Sequence, residues 1–120
     1  MVPMDARIDQ DARGRKSVAE PCAEPCPIEK GMRVLGGKWT GSLLWHLKDE
    51  PVRFNDLARM VGGASKKMIS ERLRQLEENG LIERRVLDTM PVGVEYTITD
   101  RGRTAIRFLD ELRIWSEETL

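Results

Sequence analysis

The chain has 120 residues, 40% of them hydrophobic and 33% charged, a composition typical of one globular domain with a large solvated surface. Its 20 basic and 20 acidic residues give a formal net charge of zero, which excludes a nucleic-acid binder that depends on overall positive charge. No apolar run approaches the roughly 18–20 residues of a membrane span, and the first residues lack the apolar centre of a secretory signal. We therefore expect a cytoplasmic protein with reduced thiols and no membrane partner.

Residues 1–25 are predicted to form a disordered N-terminal arm, and residues 26–120 the folded domain. The arm is polar, mixed in charge, interrupted by three prolines and without an apolar period. A basic patch at residues 13–16 fits a solvated tail better than an arm that touches phosphate.

Two core helices are predicted next. The first begins at Pro27, a residue tolerated in a first helical turn, and ends before Gly36 and Gly37. The second spans residues 39–47, closed by Pro51, with three leucines on one side: Leu43, Leu44 and Leu47. Neither helix carries chemistry, and both are expected to support a dimer face.

A helix-turn-helix is predicted in the middle of the chain. Residues 52–53 read as a very short strand, and residues 54–60 as a short helix. Gly62 and Gly63 then form a tight turn, and Ser65 is a good N-cap for the next helix.

That second helix presents a basic outward face in its N-terminal half. At about 100° per residue, Ile69, Leu73 and Leu76 fall together and face the core. The outward face of the first two turns carries one acid, Glu71, and four basic or polar side chains: Lys66, Lys67, Ser70 and Arg74. A recognition helix enters the groove of DNA by its N-terminal half, so this arrangement indicates DNA contact.

Two strands and a long helix complete the chain. Residues 81–87 and 94–99 are predicted strands joined by a turn-rich loop, which makes a β-hairpin wing. Thr99 or Asp100 caps a helix from Arg101 to about Thr119, whose wide apolar stripe needs a cover, and a partner subunit supplies it best. The predicted fold is α+β and mostly helical: a winged helix-turn-helix with a two-stranded β-hairpin wing and N- and C-terminal dimerisation helices.

Several segments in this order resemble the HxlR family of bacterial transcriptional regulators, relatives of the MarR-type winged-helix proteins. They run from about Cys26 to Trp115: Cys26-Pro27-Ile28-Glu29, Leu35-Gly36-Gly37-Lys38-Trp39, Arg53-Phe54-Asn55-Asp56-Leu57, Leu73-Arg74-Gln75-Leu76-Glu77-Glu78-Asn79-Gly80-Leu81-Ile82, Val94-Glu95-Tyr96-Thr97-Ile98-Thr99 and Gly102-Arg103. The resemblance implies a homodimer that binds a pseudo-palindromic operator in double-stranded DNA. It makes residues 65–79 the recognition helix and residues 84–96 the wing.

The DNA contacts are divided by their expected role. Phosphate contacts are expected from Arg53, Ser65, Lys66 and Arg84, and base reading from Lys67, Ser70 and Arg74. The wing departs from the family pattern, because Pro91-Val92-Gly93 replaces a Pro-Pro followed by a basic residue, so the tip has no Arg or Lys. Arg84 and Arg85 at the wing base are expected to hold the DNA backbone instead.

The two cysteines suggest regulation. Cys26 precedes the first helix, where the helix dipole favours the reactive thiolate, and several family members use this position to sense oxidants or electrophiles. A half-buried structural thiol is the alternative. Cys22 lies in the arm, and its pairing with Cys26 or across a dimer is left open.

Other functions fit the sequence less well. A zinc site is poorly supported, because the three candidate ligands Cys22, Cys26 and His46 lack a fourth. A thiol enzyme would need a base that activates the cysteine, and the sequence offers none. We expect no enzyme, metal or cofactor, and an oxidant or small molecule as effector. The alternative function is a winged-helix protein-interaction module that does not bind DNA, which the zero net charge and the non-basic wing tip keep open.

Overall fold

A computed structural model describes residues 26–120. The predicted arm, with Cys22, lies outside these residues. The chain divides after Lys30 into two compact units. In the first, residues 26–30 form the start of α1 (Pro27–Leu35), where the Lys30 amide donates to the Cys26 carbonyl at 2.9 Å.

The second unit, Gly31–Leu120, is mostly helical with one antiparallel sheet. After the end of α1, its elements are α2 (Thr40–His46), β1 (Val52–Arg53), α3 (Phe54–Val61), α4 (Lys66–Glu78), β2 (Ile82–Leu87), β3 (Gly93–Ile98) and α5 (Asp100–Thr119). Every predicted helix and strand is present, with ends displaced by at most one residue. Among the described residues, no helix has the length and hydropathy needed to cross a membrane.

The sheet is a hairpin with one added strand. β2 and β3 form the predicted hairpin, and β1 pairs with the other side of β3, so the strand order is β1-β3-β2. The predicted very short strand at residues 52–53 therefore joins the wing as its third strand, because the edge of β3 that faces away from β2 lets Val52 and Arg53 pair with Tyr96 and Glu95.

One apolar cluster joins the helices to the sheet. The leucines predicted on one side of α2 are fully buried, and they meet fully buried side chains of α3 and α4: Leu57, Ile69, Leu73 and Leu76. Leu81, Ile82, Tyr96 and Ile98 close the cluster from the sheet side. The recognition helix is thus fixed by its inward face against both neighbouring helices and the wing.

The N-terminus of α2 differs from the prediction. Trp39 was expected inside the helix, but its φ of 75° is left-handed, and α2 begins at Thr40. The Trp39 ring lies beside Gly63, where an added Cβ would be 3.6 Å from the ring carbon Cη2. This contact places the indole against the turn of the helix-turn-helix, and the backbone bends at Trp39.

Candidate nucleic-acid interface

The recognition helix begins as the sequence predicts. Gly62 and Gly63 have φ values of 64° and 79°, a left-handed conformation that glycine adopts without steric cost. Ser65 then caps α4, and its hydroxyl accepts a hydrogen bond from the Met68 amide at 3.1 Å. The cap gives a hydrogen-bond acceptor to one amide that has no partner within the helix, and it thereby marks the N-terminus of α4.

The outward face of α4 is exposed as projected. All four basic or polar side chains assigned to its first two turns are exposed, together with the cap: Ser65, Lys66, Lys67, Ser70 and Arg74. Arg74 reaches Glu78 one turn later at 3.4 Å, a long contact between exposed groups that contributes little stability. The basic half of α4 is therefore available to a ligand.

A cleft of about 710 Å³ lies between α3, α4 and the wing. It brings together three predicted site residues, Arg53, Ser70 and Arg84. The cleft also contains residues of α3 that the sequence reasoning did not select, and two of these, Asp56 and Arg59, form an ion pair with each other. A helical projection of α3 would have found Arg59, because it falls roughly opposite the buried Leu57, and Asp56 is its neighbour three residues earlier on the helix.

The strand register separates the two arginines that the sequence grouped at the wing base. Arg84 lies opposite Tyr96 and shares its face of the hairpin, which borders the cleft. Arg85 lies opposite Glu95 on the other face and forms an ion pair with it, with Nη2 2.9 Å from Oε1. Successive side chains in a strand point to opposite faces, so one DNA backbone segment cannot be held by both in the same way.

Tyr96 links the wing to the core beneath the cleft. Its ring is buried, and burial raises the pKa of its hydroxyl, while the neighbouring Arg84 guanidinium acts in the opposite direction through charge and a hydrogen bond. The phenol therefore stays protonated and supports the Arg84 side chain on the cleft side.

The wing tip is apolar and exposed. Met90 is 96% exposed, and the adjacent Pro91 follows a cis peptide bond. The Thr89 hydroxyl donates to the Pro91 carbonyl at 2.8 Å, which closes the loop on itself. The tip presents no positive charge to a phosphate.

Arg72 orients α4, a role that sequence reasoning missed. Its Nε donates to the Lys38 carbonyl at 3.0 Å, and its Nη1 donates to Gln75 Oε1 at 3.2 Å. An added Cβ at Gly37 would lie 3.2 Å from the Arg72 guanidinium carbon, so the glycine leaves room for the side chain. No local signal marks this contact, because it joins residues 34 positions apart.

The candidate sensor and the candidate metal ligands are not brought into one site by the described residues. Cys26 is half-buried directly before α1, and Cys22 lies outside the described part. His46 is at the end of α2, where burial, and then the charge of Lys48, lower its pKa. Within residues 26–120, no group of three or more histidine, cysteine or acidic side chains could hold a metal ion.

A second, apolar groove of about 300 Å³ runs between α2 and α5. Trp45, Leu109 and Leu112 are among the residues that line it. Two cations lie over the Trp45 ring, Lys48 Nζ at 4.4 Å and the Arg113 guanidinium carbon at 5.8 Å from its centroid. The groove is small and shallow compared with the cleft beside α4.

Comparisons with known proteins agree on one group. The model of the family described as HxlR-like helix-turn-helix matches residues 34–120. The HTH-type transcriptional regulator YdeP of Bacillus subtilis is 38% identical over 95 residues, which are 79% of this chain and 74% of YdeP.

Solved structures of similar proteins have the same fold. A transcriptional regulator of the MarR family from Porphyromonas gingivalis superposes with a TM-score of 0.79 at 31% identity, covering 84% of this chain and 99% of its own. The redox regulator HypR in its oxidised form superposes with a TM-score of 0.74 at 36% identity, covering 79% and 98% of the two chains.

Proposed function

This chain belongs to the HxlR-like helix-turn-helix family of transcriptional regulators, and from that premise we propose that it is a homodimeric, cytoplasmic repressor that binds a pseudo-palindromic operator in double-stranded DNA. The observation that carries this proposal is the exposed basic half of α4 beside the cleft. An α-helix fits the major groove of B-form DNA, where its first turns meet the base edges.

The side chains divide by what they can reach. Lys67, Ser70 and Arg74 lie on the outermost face of α4, and we assign base contacts to them. Phosphate contacts are assigned to side chains at the start of α4 and around the cleft: Arg53, Ser65, Lys66 and Arg84. Arg85 is the remaining proposed phosphate contact, and Glu95 competes with DNA for it on the other face of the hairpin.

An Arg74→Ala variant tests the base-reading assignment. Loss of a bidentate base contact costs about 1–3 kcal/mol, so we expect roughly ten- to hundred-fold weaker binding to a duplex that the wild-type protein selects from a randomised pool. Binding is measured by fluorescence anisotropy, and the dimer's sedimentation should not change. Arg107→Ala removes an equally charged, exposed side chain from α5 and should bind as wild type. Unchanged affinity of Arg74→Ala would refute the assignment.

Dimerisation is proposed from the surface of α5. Phe108, Leu112 and Trp115 are spaced by four and three residues, share one side of the helix and are exposed. α1 has no buried residue and exposes Ile28 and Met32 one turn apart. Exposed apolar stripes of this kind are covered in soluble proteins by a partner, and a second copy of the chain gives the two-fold symmetry that a palindromic operator matches.

Regulation is proposed at Cys26, with an oxidant or electrophile as effector and a small molecule in the α2–α5 groove as the other candidate. The support is the position of the thiol at the positive end of α1 and the likeness to a redox regulator. Treatment with diamide should lower the operator affinity of the wild-type protein. A Cys26→Ser variant should keep its affinity under the same treatment, and Cys22→Ser shows whether the second thiol takes part. Wild-type affinity that diamide leaves unchanged would count against the switch.

A protein-interaction module is the second candidate function. Its support is the exposed apolar tip formed by Met90 and Val92 together with the zero net charge. The salt dependence of DNA binding separates the two, because release of counterions from phosphates makes affinity fall steeply with salt. DNA affinity that is weak and insensitive to salt would favour the interaction module.

A further inference from the structure

Three charged side chains lie side by side on the outer face of the sheet, which is the face opposite to that of Tyr96: Arg53, Glu95 and Arg85. Glu95 lies on the central strand β3, directly opposite Arg53 of β1 and Arg85 of β2. Directly paired residues share a face with their Cβ atoms about 5 Å apart. Glu95 is therefore flanked by a cation on each side, an arrangement here called the outer triad.

The contact on the β2 side is a direct ion pair. Arg85 Nη2 lies 2.9 Å from Glu95 Oε1, and the Glu95 side chain is only 18% exposed while that of Arg85 is 72% exposed. The carboxylate is covered, and the guanidinium is accessible from solvent. The Nη2 group can turn toward a phosphate only by leaving the carboxylate.

The position of the Arg53 side chain, on the β1 side, is shown by its proximity to Gly93. A Cβ added there would lie 3.7 Å from Arg53 Nη1, and Gly93 is on the same face of β3 as Glu95 because it is two residues away. The Arg53 guanidinium thus lies along this face as well. Arg53 also borders the cleft beside α4, so it is placed to meet the same DNA backbone as Arg84.

We propose that Glu95 lowers the phosphate-dependent part of the DNA affinity, because its carboxylate competes with DNA phosphates for Arg85 and for Arg53 beside it. The inference rests on the proposed DNA-binding function. Non-specific affinity is set by the number of phosphates that basic side chains neutralise, whereas base contacts on α4 are unaffected by the wing. A carboxylate that competes for Arg85 and attracts Arg53 therefore lowers the affinity for any duplex and leaves the base contacts unchanged.

Replacement of the carboxylate by an amide tests the proposal. Two DNA duplexes of equal length serve as probes: one selected by the wild-type protein from a randomised pool, and one with that sequence scrambled. Glu95→Gln should bind the scrambled duplex roughly three- to ten-fold more tightly, and its log-affinity against log-salt slope should be steeper by about 0.9 for each arginine released. The affinity for the selected duplex should rise by a similar factor, because both duplexes present the same phosphates.

Two further variants exclude a general charge effect and a structural one. Glu83→Gln removes a carboxylate from the same face of β2, and within residues 26–120 that side chain has no ion pair, so only a small change is expected. Glu95→Asp keeps the net charge but withdraws the carboxylate by one methylene, and should give an intermediate rise in non-specific affinity. It also replaces Glu95→Gln if the amide variant does not fold.

A double-variant cycle identifies the arginine that is released. In the Arg85→Gln background, Glu95→Gln should lose most of its effect on the scrambled duplex. The inference is overturned if Glu95→Gln matches Glu83→Gln in affinity and salt slope, or if the effect persists without Arg85 and without Arg53. If the wild-type protein selects no duplex from the pool, it is the proposed DNA-binding function that fails, which is a distinguishable result.

Discussion

Among the glycines that the structure describes, Gly102 has the least room for a side chain. It lies in the first turn of α5, where an added Cβ would be 2.7 Å from Ile98 Cγ1 and would collide with the Leu81 carbonyl oxygen. The close approach lets Thr99 cap the helix and tie it to the turn before β2, since its hydroxyl accepts from the Gly102 amide at 3.0 Å and donates to the Gly80 carbonyl at 2.7 Å.

We therefore expect Gly102→Ala to destabilise the fold. Overpacking at a site where the backbone cannot yield costs about 1–3 kcal/mol, and chemical denaturation should measure a loss of that size in the free energy of unfolding. Gly31→Ala is the matched control, because α1 leaves open space around Gly31 and alanine favours a helix by up to about 1 kcal/mol. Equal stability of Gly102→Ala and the wild type would contradict the tight packing at α5.

The lowered pKa of His46 predicts that the stability of the fold depends on pH. Burial first, and the charge of Lys48 second, lower its pKa in the folded state below the ordinary value of 6.5. The unfolded chain then binds the proton more tightly than the folded chain, so the free energy of unfolding falls as the pH drops below about 6.5.

The measurement is thermal unfolding between about pH 7.5 and 5.5, above the range in which most carboxylates protonate. His46→Gln is the control, because His46 is the single histidine of the chain and its removal should flatten the decline. A decline of the same size in that variant would assign the effect to other groups.

Single residues also show where reasoning from sequence reaches its limit. The buried leucines and isoleucine of α4 follow from helical periodicity alone, because only one face of that helix can meet the core. Arg84 and Arg85 are adjacent in sequence, yet only the pairing of β2 with β3 shows that Glu95 holds the second of them. The ion pair depends on the register of strands that meet only after the chain has turned.

At the scale of elements, the start of α4 combines stability and binding in one residue. The Ser65 hydroxyl oxygen accepts a hydrogen bond from the Met68 amide, and Ser65 is also proposed to contact a DNA phosphate. Ser65→Ala should cost about 1 kcal/mol of stability, because the amide loses its cap. Ser65→Asp keeps the cap but places a negative charge at the DNA-facing end, so stability should be retained while operator affinity falls.

The pair of variants thus separates two properties that one substitution would confuse. Stability is followed by thermal unfolding, and affinity by anisotropy on the selected duplex. Equal affinity of Ser65→Asp and the wild type would remove Ser65 from the phosphate contacts while leaving its role as cap intact.

Elements were predicted best where a local signal defines them. Glycine turns and caps fixed the limits of α4 and α5, and alternation fixed the hairpin, because these signals act within a few residues. Trp39 was placed inside α2 because its side chain fits the apolar pattern. Its left-handed backbone depends on packing against Gly63, a contact between distant segments that no local pattern encodes.

At the scale of the whole molecule, the charge balance has a structural counterpart. The chain is neutral as a whole, yet α4 has Lys66 and Lys67 in its first turn and Glu77 and Glu78 in its last. Two arginines elsewhere are matched by acids, Arg59 by Asp56 and Arg113 by Asp110 and Glu117. The first turn of α4 brings two adjacent positive charges to the proposed DNA contact without an acid in that turn.

The dimer proposal is tested at the same scale by an acidic residue in the apolar stripe of α5. Trp115 is 53% exposed, so Trp115→Glu should leave the monomer folded while its charge prevents burial against a second copy. Val86→Glu is the matched control, since Val86 is 54% exposed but lies on β2, away from α5. Sedimentation should give dimers for the wild type and Val86→Glu, and monomers for Trp115→Glu.

The same variant connects assembly to operator binding. A dimer binds two half-sites at once, and after one subunit has bound, the other meets its half-site at a high effective concentration. Loss of the dimer should therefore weaken binding to the full palindrome far more than binding to one half-site. The half-site duplex therefore serves as the internal control for an intact recognition helix. A dimeric Trp115→Glu would move the interface away from the stripe on α5, and equal loss on both duplexes would indicate damage to the helix-turn-helix itself.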